Sequence, residues 1–306
     1  MPGCSRSTLR YAGSVRRPSP PLRLSAAAGL LLSSCLVLGG CGGSSGAEAE
    51  HTSGADTTPI AEEPVPSRTS ETEASAPETS APETSAPALE GKTVALDPGH
   101  NGANARNASE VNRQVPDGRG GTKACNTTGT ATAGDYAEHA FTFDVAERAR
   151  TLLEDAGAEV VMSREDDEGV GPCVDERGQF AGEAGADVLV SIHANGTEDT
   201  SARGFHVIVV EDAQHEGVEE PSQALAEQMV AAFEDADFAP NPAYGADGIV
   251  ARTDIAGLNH ASVPAVLVEC GEMRNPDEAA VMESEEGRQR YAEAITAGVT
   301  ESLAEN

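Results

Sequence analysis

From Lys92 onward the chain alternates short apolar runs with longer stretches of helical period, and that alternation admits few folds. Thr93–Leu96, Glu159–Ser163, Asp187–Ile192, Gly204–Val210, Gly248–Ala251 and Pro264–Val268 read as strands, since short runs rich in Val, Ile and Leu suit a sheet covered on both sides. Glu138–Ala156 carries Phe141, Val145, Ala149 and Leu152 on one face, the spacing of an amphipathic helix, and Gly157 stands at its C-terminal stop. Val174–Ala184, Ser222–Ala236, Pro276–Met282 and Glu285–Leu303 also read as helices. The expected fold is a single α/β domain over residues 91–306, with a mostly parallel central sheet flanked by helices on both faces. At about 215 residues it is long enough to bury one sizeable core.

Composition changes upstream of this domain. Residues 1–41 hold five arginines and no acid, and Arg10, Arg16, Arg17 and Arg23 precede an apolar run from Leu24 to Leu38. The run has the length of a signal-peptide core and is short for a membrane span. It ends in Leu38-Gly39-Gly40-Cys41, which resembles a bacterial lipobox, so residues 1–41 are expected to be a lipoprotein signal peptide with Cys41 lipidated. Leu32-Ser33-Ser34-Cys35 is a second candidate, and an ordinary secretory signal is the competing reading. Residues 42–90 are Gly, Ser, Thr, Pro, Ala and Glu for the most part, with Ser-Ala-Pro-Glu-Thr repeated from Ser75 to Thr84. So little apolar surface predicts a disordered linker.

The formal net charge is −31, and residues 91–306 carry 41 acidic against 14 basic side chains. With so little to neutralise phosphates, nucleic acid is excluded as a partner. Of six cysteines, Cys4, Cys35 and Cys41 fall within the expected signal, leaving Cys125, Cys173 and Cys270. Cys270 follows Glu269 on a buried strand and reads as a small core residue. Cys125 and Cys173 are then expected to pair, as an exported protein allows; a zinc site built from them is the alternative for a cytosolic chain.

Three expected strands end in polar residues: Asp97-Pro98-Gly99-His100 after the first, His193-Ala194-Asn195 after Ile192, and Glu269-Cys270-Gly271 after Val268. Sites in open α/β sheets gather at the carboxyl ends of strands. Two imidazoles and a carboxylate arriving there point to a catalytic zinc with one position left for water.

These segments, Val94–Gly102, Ser191–Asn195 and Val266–Gly271 with Asn275-Pro276, resemble the zinc-dependent N-acetylmuramoyl-L-alanine amidases of the AmiC/CwlV type. The likeness covers residues 92–304 and is nearest to the mycobacterial periplasmic members, through Gly118–Lys123, Gly171–Arg177 and Glu283–Arg288. The resemblance implies a phosphorylase/hydrolase-like fold and a peptidoglycan hydrolase. Its bond is the amide between the lactyl group of N-acetylmuramic acid and L-Ala of the stem peptide. It further implies zinc held by His100, Glu138 and His193, with Glu269 as the catalytic acid and base. His139 is a rival to Glu138, since adjacent helical residues point about 100° apart and both cannot face one metal. A carboxylate capping the following helix is the alternative for Glu269. Asn195 and Asn275 either position substrate or support loops. The insertion between His100 and Glu138 resembles the flap of the mycobacterial relatives, and no long helical insertion separates Glu138 from Glu269. The expectation is a monomer acting on peptidoglycan, exported and held to the membrane by its N-terminal lipid. A catalytically silent peptidoglycan-binding or regulatory lipoprotein is the competing class, and the loss of a ligand or of Glu269 would mark it.

Overall fold

A computed structural model describes residues 88–245 and 247–304. The expected signal peptide, Cys41 and nearly all of the expected linker lie outside them. In chain order the elements are β1 (Thr93–Pro98), α1 (Ala108–Val111), β2 (Gln114–Pro116), β3 (Thr122–Ala124), α2 (Glu138–Asp155), β4 (Glu159–Met162), α3 (Val174–Glu183), β5 (Val188–Asn195), β6 (His206–Val210), α4 (Glu219–Asp235), β7 (Ile249–Arg252), α5 (Ala256–His260), β8 (Ala265–Glu272), α6 (Pro276–Glu283) and α7 (Glu285–Ala304).

Six strands form one sheet in the order β4-β1-β5-β8-β6-β7, and β2 with β3 makes a separate antiparallel hairpin. Every pairing in the large sheet is parallel except that of β6 with β8. Alternate strand residues feed two cores, as the period of two requires. Val94, Leu96, Val190, Ile192, Val266 and Val268 meet Phe141 and Val145 of α2, Leu225 and Met229 of α4, and Ile295 and Val299 of α7. Ala95, Leu189, Ile208 and Leu267 face the other way, onto Ala181 of α3 and Leu258 of α5. Each large apolar side chain buried in this way contributes about 1.5–3 kcal/mol.

The expected fold class holds, with three local differences. Leu89, assigned by composition to the 42–90 linker, is fully buried in the α2 core, and its N–H donates to the Ala156 carbonyl at 2.9 Å. The packed domain therefore begins ahead of residue 91. Strands β5 and β8 do not stop at Ile192 and Val268. They run on together through the pairs His193↔Glu269 and Asn195↔Glu272, with a register shift between His193 and Asn195. The polar residues thus sit within the ladder, because each strand supplies the other's backbone partners. Helix α4 starts at Glu219 rather than Ser222, with Pro221 in its first turn, where no intrahelical N–H is needed.

Candidate functional site

The site gathers where β1, β5 and β8 end, on the sheet face that α3 and α5 cover. Past β1 the backbone turns sharply, and His100 takes a φ of 59°. That is the left-handed region, unfavourable for a residue with a Cβ, so the surroundings must hold it. Two buried arginines do so. Arg164 donates to the carbonyls of Pro98 (2.9 Å) and Gly99 (3.3 Å). Arg177 donates to those of Pro98 and His100, both at 2.8 Å. Arg177 also pairs with Asp97 at 2.5 Å, and Asp97 accepts from the hydroxyls of Ser163 (2.5 Å) and Ser191 (2.7 Å). Burial alone would raise the Asp97 carboxyl, but the Arg177 charge and the two hydroxyls hold it below its ordinary value.

Nδ1 of His100 lies 3.1 Å from the Thr127 carbonyl. A carbonyl only accepts, so this bond places the proton on Nδ1 and turns the Nε2 lone pair inward. There Nε2 is 3.0 Å from Oε1 of Glu138, the first residue of α2. The same Oε1 lies 3.0 Å from Nδ1 of His193 on β5 and accepts from Ala194 N at 3.1 Å, while Oε2 accepts from Thr130 N at 2.9 Å. Burial would raise the Glu138 carboxyl; when the rings are protonated, the charge and hydrogen bond of His100, with those of His193, pull it well below the carboxylate range instead. The two imidazoles meet edge to face, with centroids 4.8 Å apart. Donor atoms of His100, Glu138 and His193 all lie within 4.8 Å of one another. His139 is elsewhere, its Nδ1 2.6 Å from Asp167 Oδ2.

Two glycines make the close approach possible. A Cβ on Gly99 would come within 2.3 Å of the His193 ring, and one on Gly129 within 2.8 Å of Glu138 Oε2. Glu269 stands opposite His193 in the β5–β8 register, on the same face. The residue is half-buried, and its buried Oε2 has no hydrogen-bond partner among the described residues. Burial, then the negative charges of Glu138 and Glu272, push its carboxyl well above the ordinary value against the pull of Arg252. His100, Glu138, His193, Asn195 and Glu269 line one open pocket, walled by Thr127–Thr130 and Ile255.

The family model for N-acetylmuramoyl-L-alanine amidases matches residues 94–301. The chain belongs to the N-acetylmuramoyl-L-alanine amidase family. It is 43% identical over 216 residues to N-acetylmuramoyl-L-alanine amidase Rv3717 of Mycobacterium tuberculosis, covering 71% of this chain and 88% of that one. Among solved structures, the amidase Ami1 of Mycobacterium smegmatis superposes with a TM-score of 0.68 at 44% identity, covering 71% of this chain and 99% of that one. Ami1 of Mycobacterium abscessus gives 0.67 at 43%, covering 70% and 100%.

Within this amidase the remaining expected residues fall as follows. Asn195 donates to the Tyr244 hydroxyl and to Glu272 Oε1, both at 2.9 Å. Asn275 caps α6, accepting from Asp277 N and Glu278 N, and its amide donates to the carbonyls of Thr200 and Ala202. Both amides are thus engaged with the protein's own groups, Asn195 with side chains and Asn275 with backbone. Cys125 and Cys173 form a disulfide across 48 residues, with S–S 2.05 Å. It joins the segment that carries Thr127 to the N-cap of α3, the helix that carries Arg177. Cys270 is an unpaired buried thiol. Arg164 and the carbonyl of Thr127 were not singled out by sequence. The one signal for Arg164 was a lone cation ahead of the acidic run Glu165–Glu168.

Proposed function

We propose that this amidase is a zinc-dependent peptidoglycan hydrolase. It cuts the amide between the lactyl group of N-acetylmuramic acid and L-Ala of the stem peptide, the bond its mycobacterial relatives are named for. The observation that carries this reading is the convergence of His100 Nε2, His193 Nδ1 and Glu138 Oε1 beside the buried, unpartnered carboxylate oxygen of Glu269. Two imidazoles and one carboxylate, the latter held ionised, are the donor set of a catalytic zinc. The Thr127 carbonyl behind His100 is the kind of outer partner that fixes a ligand's tautomer. Zinc held there supplies Lewis acidity, which polarises the amide carbonyl and acidifies water at the site.

The protein's own groups do the rest. Glu269 accepts a proton from water as its oxygen bonds to the carbonyl carbon. It returns that proton to the L-Ala nitrogen as the C–N bond breaks. The products are a lactyl carboxylate and a peptide with a free L-Ala amine. Pocket walls at Thr127–Thr130 and Ile255 shelter the reacting atoms.

The test compares variants on one preparation each. Glu269→Gln keeps size but takes no proton, so it should retain zinc and lose about a hundredfold to ten-thousandfold in turnover, read as intact stems released from muropeptides. Near-normal turnover removes Glu269 from the chemistry. Glu138→Ala should lose zinc while His139→Ala keeps it; the reverse would transfer the ligand role to His139. At the N-terminus the reading extends to export, lipidation at Cys41 and a tether of residues 42–90, motivated by the lipobox-like Leu38-Gly39-Gly40-Cys41. Among the described residues no helix is long and apolar enough to cross a membrane. Cys41→Ala should leave a mature form of lower mass that partitions into the soluble fraction. Unchanged mass and partition would refute lipidation there.

A further inference from the structure

Behind His100 and His193 lies a second cavity of about 90 Å³, distinct from the open pocket that Glu138 and Glu269 line. The proposed chemistry makes no use of it. Its walls are Val174 at the start of α3, Leu189 and Leu267 on the sheet, and Ile255, Gly257 and Leu258 at α5. Five residues, His100, Thr127, His193, Ile255 and Leu267, line both spaces, so the cavity borders the place where the reacting amide must sit.

The chemistry of its walls restricts what enters. Asp97, Asn126, Arg177 and Ser191 also border it, but their polar atoms are spent on one another, on the backbone of Thr127 and Pro172, and on the carbonyls of the His100 turn. A polar group entering would leave its own water behind without gaining a partner, which is costly. An alkyl group loses nothing. The volume is below the roughly 150 Å³ of an engineered apolar cavity that takes benzene. A branch of one to three carbons fits, and a ring does not.

A muramoyl peptide carries such a branch on each side of the scissile amide, the lactyl methyl on the carbon next to the carbonyl and the alanine methyl on the carbon next to the nitrogen. We propose that this cavity is a subsite for a methyl branch adjacent to the scissile bond, with Leu258 and Gly257 setting its size limit. The inference rests on the amidase reading and adds a determinant of which acyl group or first stem residue is accepted.

The test uses the native protein, Leu258→Ala and Gly257→Ala on synthetic muramoyl peptides. One arm replaces lactyl by glycolyl, and the other replaces L-Ala by Gly. Loss of one methylene-sized contact from an apolar pocket costs about tenfold or more in kcat/KM. The native protein should show that loss in one arm and stay within about threefold in the other, and the affected arm names the methyl that is seated. Leu258→Ala should then accept a four-carbon branch on that same side about tenfold better, relative to the parent, than the native protein does. Gly257→Ala adds a methyl whose nearest neighbour is the Val174 carbonyl at 3.7 Å, so it is tolerated sterically and should weaken the methyl preference. This variant keeps the test open if Leu258→Ala melts. Both arms within threefold of the parent in the native protein, or an unchanged branch preference in variants that still cut the parent, overturn the subsite. A native protein that leaves the parent uncut overturns the amidase reading itself, and the subsite with it.

Discussion

His206 sits beside Glu269 in the β6–β8 register, opposite the side that His193 occupies. Its ring stacks on Tyr244, with centroids 3.9 Å apart, and its buried Nδ1 has no partner among the described residues. Burial, with the Arg252 charge adding to it, lowers its pKa from 6.5 to about 4. The folded state therefore resists a proton that the unfolded chain accepts. Stability from this residue is complete above about pH 6.5 and is lost as pH falls from there towards 4. Linkage puts the loss at about 2.5 kcal/mol between about pH 7.5 and about pH 4.5. His206→Phe keeps the stacking surface without the titrating group, so its denaturant-derived stability should fall less than that of the native protein by about that amount. Parallel curves for the two would refute this. One histidine at the start of a strand carries no signal in the sequence; the position of His206 beside Glu269 comes from the sheet order. Glu138 was hidden for a related reason. Periodicity cannot choose between residues 138 and 139 at a helix start, and only the family likeness favoured the acid.

At the scale of elements, the long regular pieces were legible because their apolar periods are long. What escaped were short elements fixed by tertiary contacts, such as the three-residue strands β2 and β3 and the five-residue α5. The hairpin is fastened to its surroundings. Arg119 donates to Asn259 at 2.9 Å, Lys123 to the Asp254 carbonyl at 2.7 Å, and Val115 packs against the Cys125–Cys173 disulfide. That bridge closes a 48-residue separation, for which chain entropy gives about 4 kcal/mol of stability. It also ties the chain that leads to Thr127, the carbonyl behind His100. Replacing both cysteines by alanine should therefore cost about 4 kcal/mol in urea unfolding and weaken retention of the proposed zinc in a chelator competition. If stability falls but chelator competition is unchanged, the bridge serves the fold and not the site.

At the scale of the whole molecule, charge is the dominant feature. Residues 91–306 hold 41 acids and 14 bases, and two of those bases, Arg164 and Arg177, are buried against the Pro98–His100 carbonyls, where they do not offset the surface. Acid runs such as Glu165–Glu168, Glu219–Glu220 and Glu285–Glu286 place like charges side by side along the chain, and Glu147 and Glu165 share the one cation of Arg150. Such a surface repels itself, and compaction on folding sharpens the repulsion. Salt shortens the distance over which like charges interact, from about 10 Å at 0.1 M to about 3 Å at 1 M. The buried ion pair of Arg177 with Asp97 is shielded from that screening, so salt should remove more repulsion than attraction. Raising sodium chloride from about 0.1 M to about 1 M should stabilise the full chain by on the order of 1 kcal/mol, or about 2–4 °C in Tm for a domain of this size. Sulfate strengthens apolar burial in any protein, so the decisive comparison is chloride against sulfate at equal ionic strength. A Tm that rises with sulfate and stays flat with chloride would show that the acidic surface is too well hydrated for its self-repulsion to matter.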